Sequence, residues 1–127
     1  MSQTIREVMS AGAVVANAGD TVGEARDRMS QLHISALPVL DPDGELLGIV
    51  TAADLLADYD ATLPLSRVMT PHVHTLPPDA EARKAVRMMQ QHHHHHVVVV
   101  EDGRVVGMVS AFDLLALVAT PAGSAID

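Results

Sequence analysis

The chain has no cysteine and no tryptophan, and a single tyrosine and a single phenylalanine among 127 residues. Without cysteine there is no disulfide, no thiolate nucleophile and no cysteine-built zinc or iron–sulfur site, and a reducing cytoplasm suits such a chain. With Tyr59 and Phe112 as the sole aromatics, the core has to be assembled from Val, Leu, Ile, Ala and Met. Basic residues are scarce, eight Lys+Arg against sixteen Asp+Glu, for a formal charge of −8. Nucleic-acid affinity rests on several Lys/Arg contacts to phosphate, and no basic face is clustered here, so nucleic acid is not expected as a partner. No run approaches the ~18 apolar residues of a membrane helix, and Met1 to Arg6 has no apolar signal core, which predicts a cytoplasmic protein off the membrane. A Gly-x-Ser-x-Gly elbow, a Walker phosphate loop and a Gly-x-Gly-x-x-Gly turn are all missing, so no enzyme is expected.

What is present is repetition. A shift of 60 aligns Val8-Met9-Ser10 with Val68-Met69-Thr70, Ala25 with Ala85, Met29 with Met89 and Val39 with Val99. One residue drops out at Asp41-Pro42, and a shift of 59 then aligns Gly48 with Gly107, Val50 with Val109 and Asp54-Leu55-Leu56-Ala57 with Asp113-Leu114-Leu115-Ala116. The chain therefore divides into repeats at 1–61 and 62–119, with a Pro/Gly/Ser/Ala tail at 120–127 expected to fray.

Each copy reads as βαββα. A short lead helix ends near Met9, a strand is expected from Ala13 to Ala16, and Asn17 to Asp20 is a turn. Thr21 and Glu24 form a capping-box pattern, and Val22, Ala25, Met29 and Leu32 recur at helical spacing, which predicts a helix ending near His33. Ala36–Leu40 and Leu46–Val50 make a hairpin around Asp41-Pro42-Asp43-Gly44, and a second helix starts around Asp54. Tyr59 to Pro64 links the copies. Continuous apolar strands such as Val97 to Val100 imply burial on both faces, so the copies are expected to pack sheet to sheet about a pseudo-twofold axis.

The chemistry sits in Gly48-Ile49-Val50-Thr51-Ala52-Ala53-Asp54 and its repeat Gly107-Met108-Val109-Ser110-Ala111-Phe112-Asp113. One reading is a capping box, with hydroxyl and acid exchanging bonds with each other's backbone N–H. The other uses the same turn as a nucleotide grip. A helix N-terminus with a hydroxyl seats phosphate, and an ionised Asp accepts both hydroxyls of a ribose.

These motifs, with Ile34-Ser35-Ala36-Leu37-Pro38-Val39-Leu40 before the Asp-Gly turn, resemble a tandem pair of cystathionine β-synthase (CBS) domains over residues 5 to 118. The resemblance implies an α/β (α+β) fold of two βαββα modules, often doubled as a homodimer, that senses AMP, ADP, ATP or S-adenosylmethionine in clefts between the modules. It places Thr51 and Ser110 on the phosphate side and Asp54 and Asp113 on the ribose. It lines the base and phosphates with Ile34, Ser35 and Ala36 and their counterparts His94, His95 and His96, and assigns adenine recognition to backbone near Val15 and Thr75. Such a chain needs no cofactor beyond its regulatory ligand, and its output passes to an effector protein in trans. Val98 stands where the motif expects a proline like Pro38. Arg83, Lys84 and Arg87 read as a solvated helical face, which leaves little to neutralise a triphosphate and favours a monophosphate or an uncharged adenosine derivative. The other readings are a ligand-free dimerisation scaffold and a metal-responsive protein.

The run His92 to His96 is the most unusual feature. Five successive imidazoles diverge, so at most two or three can converge on an ion. His92, His94 and His96 are the weak metal candidates, with His72 and His74 as supplements and adventitious Zn²⁺ or Ni²⁺ binding expected in vitro. His33 reads as a helix end or surface residue, and the methionines as core fillers. His95 aligns with Ser35, beside the expected phosphate. His95→Ala is therefore expected to weaken nucleotide binding more than His92→Ala, and equal affinities for the two variants would contradict that placement.

Overall fold

The computed structural model describes residues 3–115; the tail expected at 120–127 and the last residues of the second repeat lie outside them. In chain order the elements are α1 (Ile5–Val8), β1 (Ser10–Ala11), β2 (Ala16–Asn17), α2 (Val22–Leu32), β3 (Ala36–Leu40), β4 (Leu46–Thr51), two 3-10 turns (Asp54–Leu56 and Leu65–Arg67), β5 (Thr70–Pro71), β6 (Thr75–Leu76), α3 (Ala82–His92), β7 (His96–Glu101) and β8 (Arg104–Ser110). Residues 111–115 are helical. The fold is mixed α+β with two four-stranded sheets, ordered β1-β8-β7-β6 and β2-β3-β4-β5.

The repeats of the sequence and the compact units in space are cut differently. One unit is Ala13–Val73; the other joins the residues up to Gly12 with those from His74 onward. Each repeat's lead segment thus serves the unit that holds the other repeat's body. Ile5 and Arg6 donate N–H bonds of 2.8 Å to the Ala80 and Pro78 carbonyls, and Ala82 returns one of 2.8 Å to Gln3. The other unit repeats the pattern at matching positions. Leu65 and Ser66 donate to Asp20 and Ala18 at 2.8 and 3.1 Å, and Val22 returns a bond of 2.8 Å to Leu63. Ile5 and Leu65 are both fully buried by this docking.

The motif glycines follow from the same docking. β1 pairs with β8 through Ala11 and Gly107, and β5 pairs with β4 through Pro71 and Gly48. A Cβ on Gly48 would lie 2.6 Å from the Thr70 carbonyl oxygen and 2.9 Å from Met69 Sδ; on Gly107 it would lie 2.7 Å from that of Ser10 and 2.8 Å from Met9 Sδ. The two repeated motifs, Val-Met-Ser/Thr and Gly-x-Val-Thr/Ser, are therefore the two sides of one contact.

α2 starts on its capping box, with Glu24 donating its N–H to Thr21 Oγ1 at 3.1 Å and accepting the Thr21 N–H at 2.8 Å. It ends where His33 turns left-handed at φ 54°, as α3 does at His93 with φ 56°. The second hairpin closes through Asp102 and Gly103 at φ 52° and 78°, the signs a two-residue turn of matching twist demands. Each unit has its own aliphatic core. One gathers Val22, Ala25, Met29, Leu37, Val39, Val50 and Leu55, the other Ala85, Met89, Val97, Val99, Val109 and Leu114. Phe112 stays 80 % exposed.

Two expectations are corrected. The strand expected at Ala13–Ala16 lies instead at Ala16–Asn17, because its pairing is set by β3, through Ala16 with Val39 and Asn17 with Leu40. The helix expected at Asp54 is only a 3-10 turn, with Ala57 extended after it. Gly48→Ala and Gly107→Ala are each expected to destabilise the fold by about 1–3 kcal/mol, since backbone oxygen cannot move aside as a side chain can. Urea denaturation measures it.

Candidate functional site

The two hydroxyl–carboxylate turns are built alike. Thr51 ends β4 opposite Ala36, and Ser110 ends β8 opposite His96, each at the end of an interior strand, beside the residue that opens the neighbouring strand. The Thr51 N–H donates to Asp54 Oδ2 at 2.9 Å and Asp54 returns its N–H to Thr51 Oγ1 at 3.2 Å. Ser110 and Asp113 match them at 2.8 and 3.1 Å. The next residue in each turn is tied to the connection before the sheet: Ala52 donates to the Ser35 carbonyl and Ala111 to the His95 carbonyl, both at 2.8 Å. All four hydroxyl and acid residues are partly exposed. The reciprocal bonds engage one oxygen of each carboxylate and leave the hydroxyl protons uncommitted to them.

Of the remaining expected residues, Ser35 and His95 are bonded to these turns and Ala36 and His96 pair with their hydroxyl residues, while Val15, Thr75 and His94 are placed by other elements. In the unit Ala13–Val73, Ser35 is tied to the turn through its carbonyl, buried Ala36 opens β3, and Ile34 is packed against the core. Val15 precedes β2, and its carbonyl accepts a 2.8 Å bond from Arg28 Nη1. In the other unit His95 takes the Ser35 role through its carbonyl, His96 opens β7, and Thr75 opens β6 opposite Val98. His94 turns elsewhere, into a group of rings with His74 and His92.

Those rings revise the metal candidates. His74 stacks on His92 with centroids 3.9 Å apart and planes 19° apart, and lies 5.2 Å from His94, which is 6.1 Å from His92. His96 is not among them. Burial, and secondarily the charges of His92 and His94, hold His74 below the usual histidine range. Burial also lowers His96, reinforced by His95 and opposed by Asp113. Among the described residues no three His, Asp or Glu side chains form a ready-made metal cage.

The sequence reading missed Arg26. Its Nε and Nη2 reach the Leu55 carbonyl at 3.1 and 3.0 Å, Nη2 also reaches that of Ala57 at 2.9 Å, and Nη1 that of Tyr59 at 3.5 Å. One guanidinium thus gathers the carbonyls that a short 3-10 turn leaves open, and fixes the segment following Asp54. The matching residue of α3 is Val86, packed against its own core. No local motif marks Arg26; its partners are some thirty residues away.

Three of the eight basic side chains are held by partners and the rest are exposed, Arg67 and Arg104 among them. Arg26 and Arg28 are held by carbonyls, Arg6 pairs with Glu101 at 3.1 Å, and Arg83, Lys84 and Arg87 are exposed, as their helical spacing predicts.

Comparison with known proteins gives a family. A model of the CBS domain matches residues 5–60 and again 65–120. Inosine-5′-monophosphate dehydrogenase of Methanocaldococcus jannaschii is 34 % identical over 110 residues, covering 86 % of this chain and 22 % of that enzyme. The chain thus spans about a fifth of the length of that relative. Among solved structures, the CBS domain pair of protein MJ0100 in complex with 5′-methylthioadenosine and S-adenosyl-L-methionine superposes with a TM-score of 0.87 at 26 % identity, covering 95 % of this chain and 99 % of that one. Hypoxic Response Protein I, solved with two coordinated zinc ions, gives 0.78 at 25 % identity, covering 89 % and 97 %.

Arg26→Gln is expected to cost about 1.5–3 kcal/mol, the range for bonds to a charged donor. Hydrogen exchange should accelerate at residues 55–59 and stay unchanged at 114–115, where no such clamp exists.

Proposed function

The chain belongs to the CBS domain family, as a tandem pair, and we propose that it is a non-catalytic regulatory module that binds an adenosine-containing small molecule. One observation carries this reading: the same hydroxyl–carboxylate turn, Thr51 with Asp54 and Ser110 with Asp113, recurs with the same bonds at the end of the matching interior strand of both sheets. Asp54 and Asp113 each accept a ribose diol, and Thr51 and Ser110 donate to the phosphate or its replacement. Ile34, Ser35, Ala36 and Val15 in one copy, and His95, His96 and Thr75 in the other, line the base and the chain beyond the ribose. The ligand-bearing pair of MJ0100 supports the adenosine class.

Charge narrows the ligand. With a formal charge of −8 and its nearby arginines held by carbonyls, the chain repels a triphosphate and leaves it poorly neutralised. S-adenosylmethionine, its uncharged relatives and AMP fit better than ATP. A ligand changes the output only by binding one arrangement of the module better than another, and that difference is passed to an effector protein, through a homodimer on this proposal.

One observation favours a second reading, a ligand-free dimerisation scaffold. The reciprocal bonds have the capping-box form, so holding the 3-10 turn after Thr51 and the helical residues after Ser110 alone accounts for the four side chains.

A melting-temperature panel with AMP, ADP, ATP, S-adenosylmethionine, 5′-methylthioadenosine and NAD on nucleotide-stripped protein separates the two. A ligand at about 100 times its Kd should add about 2.7 kcal/mol of stability. Asp54→Asn with Asp113→Asn keeps an oxygen to accept the backbone N–H and should fold normally while losing that gain. No stabilisation by any compound establishes the scaffold.

A further inference from the structure

His74, His92 and His94 occupy one corner of the unit that includes α3, and the shift of 60 gives each a counterpart in the other copy. Those counterparts are Val14, Leu32 and Ile34. Three positions that are aliphatic in the first copy are thus all imidazoles in the second. His74 is separated in sequence from the run that contains the other two, so the run does not explain it.

We infer that His74, His92 and His94 form a binding site for one borderline divalent transition-metal ion such as Zn²⁺. Imidazoles bound tetrahedrally through nitrogen at about 2.0–2.1 Å hold their ring centres about 5 Å apart. The observed separations of 3.9, 5.2 and 6.1 Å bracket that spacing. The cage is not preformed among the described residues, because His74 and His92 lie nearly parallel at 19° and do not aim at a common point. Closing it takes ring rotations that spread His74 from His92 and draw His94 inward. His92 and His94 are exposed and His74 partly so, which leaves those rotations room. The anchors are set by the backbone: His92 ends α3, left-handed His93 carries the chain around, and His74 leads directly into β6.

The chemistry selects the ion. A donor set of three imidazole nitrogens suits Zn²⁺, Ni²⁺ or Cu²⁺ and not Mg²⁺ or Ca²⁺, which take oxygen. The C-terminal end of an 11-residue helix contributes partial negative charge beside His92, and the chain's net charge attracts cations. Three protein ligands on an exposed corner leave a fourth position for water. His72, His93 and His95 are outside the ring group, and His96 starts β7 opposite Ser110.

The test is calorimetric titration of ZnCl₂ into the chelator-stripped full chain, with MgCl₂ as the control. One Zn²⁺ per chain is expected, and no Mg²⁺. The variant His74→Val/His92→Leu/His94→Ile installs the aligned residues of the first copy. Removing a group that merely supports a metal ligand costs about 10–100-fold in affinity, so removing the ligands should cost at least that. The control His72→Asn/His93→Asn/His95→Asn deletes as many imidazoles and should keep the affinity of the parent. His74→Val alone touches no residue of the run, and should also weaken Zn²⁺ by about tenfold or more. No Zn²⁺ binding, several ions spread along the run, equal losses in the two triple variants, or an unchanged affinity for His74→Val would each overturn the assignment.

Discussion

Two short bonds between a strand's last residue and the acid three places later hold the turn on which the proposed function rests. In each repeat the amide of the hydroxyl residue meets the carboxylate and the amide of the acid meets the hydroxyl, at 2.8 to 3.2 Å. This pair turns the chain out of the sheet and presents a carboxylate at the start of a helical segment. A third bond, from the following amide to the carbonyl of Ser35 or His95, ties the turn to the connection that enters the same sheet. Acid, hydroxyl and connection are therefore fixed relative to one another, and on the proposed function that prior order lowers the ordering cost of binding.

Around this shared frame the two copies have diverged. The first spends an arginine on clamping the segment after its acid; the second has Val86 there and continues into a helix at 111–115. The first enters its central strand through Pro38, the second through Val98, and Val14, Leu32 and Ile34 of the first align with His74, His92 and His94 of the second. Duplication supplied two equivalent turns, and substitution has made their surroundings chemically distinct. The exchanged lead segments keep both copies dependent on the same chain, since each core is capped by an element from the other repeat, Ile5 in one and Leu65 in the other.

Much of this is legible in the sequence where the cause is local. α2 begins and ends where its capping box and its histidine C-cap say, because Thr21, Glu24 and His33 act on their own neighbours. β3 runs from Ala36 to Leu40 as the apolar run between turn residues predicts. The Thr51–Asp54 and Ser110–Asp113 turns are visible for the same reason. What escaped was tertiary in origin. β1 and β5 are two residues long and exist because a partner strand carries a glycine they can approach, so nothing in Ser10–Ala11 or Thr70–Pro71 announces a strand. Ala13 to Val15 is apolar, yet the ladder forms one step later, where β3 has groups to pair. Arg26 and His74 gain their meaning from partners remote in sequence.

The direct test of the central claim, that both hydroxyl–carboxylate turns grip one adenosine compound, is a ¹⁵N–¹H correlation spectrum of the chain recorded while S-adenosylmethionine or AMP is titrated in. Saturable shifts concentrated at the amides of residues 51–54 and 110–113, and at 35 and 95, are the predicted result. Saturable binding that leaves those amides in place while shifting others would contradict it.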